Sequence, residues 1–338
     1  MRFLVVLAAT LSALATGAAV DAFAPAEDPA QCKRGSTPAT IGGKRLCLRS
    51  GARCAKRLDG AYHRYRFHCH SGRLSRFVPA PQPPRPQPLP PPALPDPPPP
   101  AGQLVDIGGY RLLLECVGSA SPTVVFEAGA RASRHGGPRR IQYALNSEAR
   151  VCTYDRPGTD YGTSDPRPAN VAPTSATFAR ELKTLLTNAN VPGPYLLVGG
   201  SFGGLLISAF TAWYPNDVAG LVYIDAFAPG SAESYVRINP TEGWEPSGDL
   251  AKLQALNFGA RPVVALATVT VGDTADLRRR SPNILVAQAP QYGHNVWGEV
   301  PGLAYEAIRV ALKAVRDGGP VPRCIQTPLA RLVFSCTP

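Results

Sequence analysis

Short apolar runs separated by amphipathic stretches fill the chain from Leu104 onward. The runs are Leu104–Ile107, Tyr110–Cys116, Thr123–Glu127, Val151–Tyr154, Tyr195–Val198, Leu221–Ile224, Pro262–Thr270 and Asn283–Ala287. Their length and uniform hydrophobicity suit strands buried on both faces. Helical periodicity lies between several of them. Phe178, Leu182, Leu185 and Leu186 share one face, as do Leu205, Leu206, Ala209, Phe210 and Trp213. Ala304, Ile308, Ala311, Leu312 and Val315 form a third face, opened by Pro301 near its first turn. Gly108-Gly109 marks a hairpin between the first two runs. A hairpin followed by strand–helix alternation predicts an α/β fold, with a mixed, mainly parallel sheet and helices on both faces.

The pattern before Leu104 is different. Arg2 precedes the apolar run Phe3–Leu14 and small residues up to Ala19, so residues 1–24 read as a secretory signal peptide. Extended to Val20, the run only just reaches the minimum spanning length, and no stable membrane span is expected. Residues 28–78 form a four-cysteine module, and residues 79–101 form a proline-rich linker of polyproline II character. Residues 102–338 form the large domain. Hydrophobic residues make up 44% of the 338, enough to build a substantial core there.

Charge sharpens this division. The net charge is +11, and twelve Lys or Arg with the single acid Asp59 lie between Cys32 and Phe77. The remainder of the chain is balanced. Tyr62, Tyr65 and Phe67 interleave with Arg64 and Arg66, a mixture suited to an anionic cell-surface polymer. Nucleic acid is not expected as a partner of an exported chain. The eight cysteines fall four on each side of the linker, and an even count in an exported chain implies disulfides. Cys32, Cys47, Cys54 and Cys69 allow three pairings, and His63, His68 and His70 raise zinc as an alternative. Cys116 and Cys152 lie on neighbouring predicted strands, while Cys324 and Cys336 would clip the tail.

The sharpest chemical signal is Gly199-Gly200-Ser201-Phe202-Gly203, between the strand Tyr195–Val198 and the helix Gly204–Tyr214. A G-x-S-x-G at a strand-to-helix turn exposes a serine hydroxyl and aims helix N–H groups at the reacting oxygen. Such a serine needs a base. Of five histidines, His294 alone follows Ser201 in the chain, just after the last predicted strand. The acid is Asp273 by preference, in the turn after Pro262–Thr270, with Asp276 and Asp225 as alternatives. The backbone N–H groups of Phe202 and Ala130 are the expected oxyanion donors. The loop residues Arg131, Arg134, His135, Arg139 and Arg140 crowd the Ala130 loop and would attract an acidic substrate, or else form a solvated loop.

Together with Phe126-Glu127-Ala128-Gly129, Tyr154-Asp155-Arg156-Pro157-Gly158 and Gly220-Leu221-Val222-Tyr223-Ile224-Asp225-Ala226, these residues resemble the α/β-hydrolase superfamily. The resemblance runs from Leu104 to Val315 and is strongest to exported bacterial hydrolases. Three features depart from the family pattern. The interval between the acid-bearing strand and His294 is short. Gly200 stands where many members carry histidine. Thr159 and Asp160 interrupt the glycine turn.

The resemblance implies a secreted serine hydrolase that cleaves a carboxylic ester through an acyl-enzyme, without metal or organic cofactor. A peptidase or amidase with the same triad is the neighbouring alternative. A catalytically dead, wall-binding protein on the same scaffold is the more distant one. The segment between Ala226 and Arg261 would form a small cap, and Trp244 would line it or pack within it.

Overall fold

The computed structural model describes residues 32–76, 93–130, 137–159, 163–238, 244–245, 249–268, 274–289 and 292–323. The predicted signal peptide, Asp273, Arg131, Arg134, His135, Cys324 and Cys336 lie outside the described residues. The chain divides into two compact units between Arg85 and Pro86.

The first unit consists of two hairpins and a single helical turn. Strands β1 (Thr37–Ile41) and β2 (Lys44–Leu48) pair antiparallel, as do β3 (Phe67–His70) and β4 (Arg73–Arg76), with α1 at Asp59–His63. Both hairpins turn through two residues of positive φ, Gly42-Gly43 and Ser71-Gly72. That backbone twist matches the twist of the strands it joins. The core is small: Ala39, Ile41, Leu48, Tyr62, Phe67 and Leu74. Disulfides Cys32–Cys47 and Cys54–Cys69 staple it. They settle the pairing and take the thiolates that a zinc site would need. Asp59 turns inward, accepting the Cys69 N–H at 2.5 Å. All twelve basic side chains are exposed.

The second unit is built on an eight-stranded sheet. Its strands are β5 (Gln103–Asp106), β6 (Arg111–Val117), β7 (Thr123–Glu127), β8 (Arg150–Tyr154), β9 (Tyr195–Gly200), β10 (Val218–Ile224), β11 (Val263–Ala267) and β12 (Ile284–Gln288). The spatial order is β12-β11-β10-β9-β7-β8-β6-β5. Only the β5–β6 and β6–β8 pairs are antiparallel. Helices α2 (Gly137–Ala144), α3 (Ser175–Asn188) and α4 (Gly203–Trp213) follow in turn along the chain. Next come α5 (Ala232–Ile238), α6 (Leu250–Gln254), α7 (Thr274–Arg280), α8 (Val296–Glu299) and α9 (Pro301–Asp317).

The alternation of side chains along each strand separates two cores. Val124, Phe126, Val198, Ile224 and Leu266 pack with Ile141 of α2 and Leu303 and Ile308 of α9. Val125, Leu197, Tyr223 and Ala265 pack on the opposite face with Leu182 and Leu185 of α3 and Phe210 of α4. Helix α2 is amphipathic, with Ile141 on its buried face, and is not among the helices expected from the sequence. Disulfide Cys116–Cys152 joins the register partners of β6 and β8, and bonds of this kind contribute about 2–4 kcal/mol.

The end of the proline segment is not a free spacer. Leu94 packs against the core of the second unit. Arg139, buried and paired with both oxygens of Glu115, also donates to the carbonyls of Pro98 and Pro99 at 2.9 and 3.2 Å. Arg140 pairs with Asp96. These two arginines therefore hold the proline strap, Arg139 from a buried position and Arg140 from a solvent-exposed one. Among the described residues, no helix is long and apolar enough to cross a membrane.

The β9–α4 turn is packed on both sides. A Cβ on Gly199 would lie 2.5 Å from the Gly203 oxygen, and one on Gly203 would lie 2.1 Å from the Glu127 oxygen of β7. A Cβ on Gly200 would lie 2.3 Å from Nε1 of Trp297 in α8. Trp297 therefore takes up the space next to the turn. It packs edge-on against Phe126, with ring centroids 5.6 Å apart. Gly200→Ala is expected to destabilise the fold by about 1–3 kcal/mol through overpacking against a stiff ring. The same change in a Trp297→Ala background should cost clearly less. Urea unfolding of the four proteins of this cycle measures the difference, and equal costs would refute the contact.

Candidate active site

Three strand ends converge at one edge of the sheet. Ser201 follows β9 at φ +51°, a left-handed conformation rare for a residue with a Cβ. Its carbonyl is held by the N–H groups of Gly204 at 3.1 Å and Phe227 at 3.0 Å. Asp225 follows β10 and is also left-handed, at φ +41°. Its own N–H donates to the Leu266 carbonyl at 2.7 Å, and its Oδ1 accepts the Thr268 N–H at 2.8 Å. Both bonds come from the end of β11, so the carboxylate is clamped by the neighbouring strand.

His294, in the loop between β12 and α8, bridges the two. Its Nε2 lies 2.9 Å from Ser201 Oγ, and its Nδ1 lies 2.6 Å from Asp225 Oδ2. The Asp225 side chain is 1% exposed, whereas that of His294 is 42% exposed. The carboxylate is thus shielded from water behind an imidazole that solvent and a substrate can reach. Asn295 caps α8 by accepting the Gly298 N–H with its side chain and so anchors the chain next to the histidine.

The carboxylate beside the imidazole lies one strand earlier than the preferred Asp273. Asp225, one of the two alternatives to Asp273, occupies the position behind the imidazole. Asp273 lies outside the described residues, and the Nδ1 partner it was expected to supply is already present. Asp276 is committed elsewhere: it accepts the Gly230 N–H at 2.8 Å and Nε of Arg280 at 2.7 Å, and pairs with Arg279. Burial pushes its carboxyl up, but the Arg280 and Gly230 hydrogen bonds and Arg279 outweigh this and hold it below the usual range. The short interval before His294 was the signal in the sequence that pointed away from Asp273.

Phe202 opens the turn into α4, and Ala130 follows β7 in the facing loop. Gly129 approaches closely: a Cβ there would lie 3.2 Å from Ser201 Cβ and 3.8 Å from its Oγ. The Phe202 ring is buried under the cap, stacked on Tyr235 at 4.7 Å and edge-on to Trp244 at 5.5 Å. Trp244, 4% exposed, therefore packs within the cap. Phe178 of α3 and Leu253 of α6 complete this apolar layer. Thr159, in the interrupted glycine turn, is buried and donates its N–H to the Arg156 carbonyl at 3.4 Å, while Asp160 lies outside the described residues.

A family model for the alpha/beta hydrolase fold matches residues 122–262, which include Ser201 and Asp225. Among curated proteins, an uncharacterized protein of Schizosaccharomyces pombe is 32% identical over 145 residues. That match covers 34% of this chain and 26% of the yeast protein, so the chain spans about a quarter of its relative's length. Two solved structures share the architecture. Cfl2 from Burkholderia cenocepacia has 21% identity and a TM-score of 0.52, covering 62% of this chain and 95% of its own. Alpha/beta hydrolase domain-containing protein 10 from mouse has 18% identity and a TM-score of 0.50, covering 62% of this chain and 97% of its own. The chain has the α/β-hydrolase fold, which the family model assigns over residues 122–262 and the two solved structures share.

Proposed function

We propose that the protein is a secreted serine hydrolase that cleaves a carboxylic ester through an acyl-enzyme. The observation that carries this reading is the single imidazole hydrogen-bonded to both Ser201 and the buried Asp225. In this mechanism Ser201 Oγ attacks the ester carbonyl as His294 Nε2 takes its proton. Asp225 accepts from Nδ1–H, fixes the tautomer and stabilises the imidazolium. The N–H groups of Phe202 and Ala130 receive the oxyanion. Collapse expels the alcohol, which takes the proton back from His294, and leaves the acyl group on Ser201. Water then repeats the sequence, with His294 again as base, and releases the acid. An ester asks least of this site, because an alcohol leaves with less help than an amine. The three disulfides support folding in an oxidising compartment and hence export.

A fluorophosphonate should label the purified protein, and Ser201→Ala should abolish the labelling. Asp225→Asn should lower kcat on a p-nitrophenyl ester by roughly 10²–10⁴-fold, whereas Asp273→Asn and Asp276→Asn stay within a few-fold. An inactive Asp273→Asn beside an active Asp225→Asn would reverse the assignment. Faster turnover of aminoacyl anilides than of esters would move the enzyme to the peptidase class.

The first unit carries the second part of the reading, the binding of an anionic cell-surface polymer. Twelve exposed cations surround a small stapled core. Leu104, in the other unit, is the exposed large hydrophobic among the described residues, so this unit presents charge without an apolar face for insertion into lipid. The intact chain should bind heparin, a sulfated polysaccharide, with strong salt dependence. Changing Arg34, Arg45, Arg57 and Arg64 together to Glu should lower the salt needed for elution and leave ester hydrolysis unchanged. Undiminished retention of that variant, or tighter binding of duplex DNA than of heparin, would count against a polysaccharide partner.

A further inference from the structure

Beneath the loop that follows β7 lies a buried charged group that the hydrolytic steps above leave unused. Arg156, just after β8, has a side chain only 7% exposed. Its Nη1 donates to Glu127 Oε1 at 2.9 Å and to the Ala128 carbonyl at 2.7 Å. Its Nη2 donates to the Gly129 carbonyl at 2.5 Å. The Tyr154 hydroxyl donates to the second oxygen of Glu127. The same guanidinium lies 5.7 Å from the centroid of the Phe202 ring. One cation therefore touches both segments that carry the oxyanion donors.

The planarity of the peptide bond gives this contact a consequence. The Gly129 carbonyl and the Ala130 N–H belong to one peptide unit, and in a trans peptide the two point in opposite directions. Drawing the oxygen toward Arg156 turns the N–H away from Arg156. The adjoining Gly129 lies next to Ser201, where a Cβ would come within 3.2 Å of the serine Cβ. A cationic donor on the carbonyl also polarises the peptide and makes its N–H a stronger donor. Stability alone is a poor reason to keep such a group, since a buried ion pair is often matched by well-packed apolar residues. An apolar pair could fill the volume, but it could not hold two consecutive carbonyls. Burial raises the Glu127 carboxyl above its usual range, while Arg156 and Tyr154 pull it back toward ionisation.

We propose that Arg156 is a positioning residue, which aims and polarises the Gly129–Ala130 peptide so that the Ala130 N–H meets the oxyanion formed at Ser201. Glu127 and Tyr154 hold the guanidinium in place. The assignment rests on the reading of Ser201 as nucleophile.

The test compares the full-length wild type with Arg156→Lys, which keeps the charge but loses the planar fork. A trifluoromethyl ketone is the probe, because its adduct with a serine carries an oxyanion. In Arg156→Lys, kcat on p-nitrophenyl acetate should fall roughly 10–100-fold, with KM within about threefold. Affinity for the ketone should fall by the same factor as kcat/KM, and the pH midpoint of kcat/KM should not move. Unchanged kcat and unchanged ketone affinity would overturn the proposal, as would a loss confined to KM. A wild type that neither takes up fluorophosphonate nor hydrolyses the ester would instead refute the hydrolase reading. Should Arg156→Lys fail to fold, the crystal structure of the wild-type ketone adduct decides. Its oxyanion should accept from the Ala130 N–H on the side of the peptide away from Arg156, and an oxygen out of reach of that N–H would overturn the proposal.

Discussion

The geometry around Ser201 depends on backbone approaching backbone where β9 becomes α4. Glycines at 199 and 203 leave no side chain between the turn, the helix start and the end of β7. That contact forces Ser201 into a left-handed conformation and stands its hydroxyl above the sheet edge. It also brings the loop at Gly129 within van der Waals reach of the serine. The strain at Ser201 persists because packing on both faces of the sheet over-determines it.

The neighbouring strands complete the arrangement. Asp225 is left-handed as well, and the end of β11 holds both its N–H and its Oδ1. With one oxygen occupied by the Thr268 N–H, the other is free to face the imidazole. His294 reaches that oxygen from a loop anchored by the Asn295 cap. Each member is thus positioned by an element other than its own, so the geometry belongs to the sheet edge as a whole.

The two units solve the problem of stability differently. The first has few apolar side chains to bury, and two disulfides close its loops in place of a larger core. The charge left on its surface is almost wholly cationic. The second has apolar cores on both faces of its sheet and uses charge sparingly. Its buried arginines, Arg139 and Arg156, are each matched by a glutamate and spend their remaining donors on backbone carbonyls. One fastens the proline strap, and the other grips the loop facing Ser201.

The sequence by itself determined the α/β architecture and its strands, because short apolar runs and helical periodicities are local patterns. It also singled out Ser201 and His294, which the fold brings within hydrogen-bond distance. Glycine spacing around Ser201 reports a tight turn directly, and His294 was the one histidine in suitable order along the chain. Tertiary structure alone decided which aspartate meets the imidazole. Asp225, Asp273 and Asp276 all follow or lie near strand ends, and their spacing carries no record of which oxygen a clamped β-strand turns toward an imidazole. The disulfide pairing of the first unit and the inward role of Arg139 were hidden for the same reason. Each depends on which distant segments folding brings within about 3 Å, the range of a hydrogen bond, and no local pattern encodes that distance.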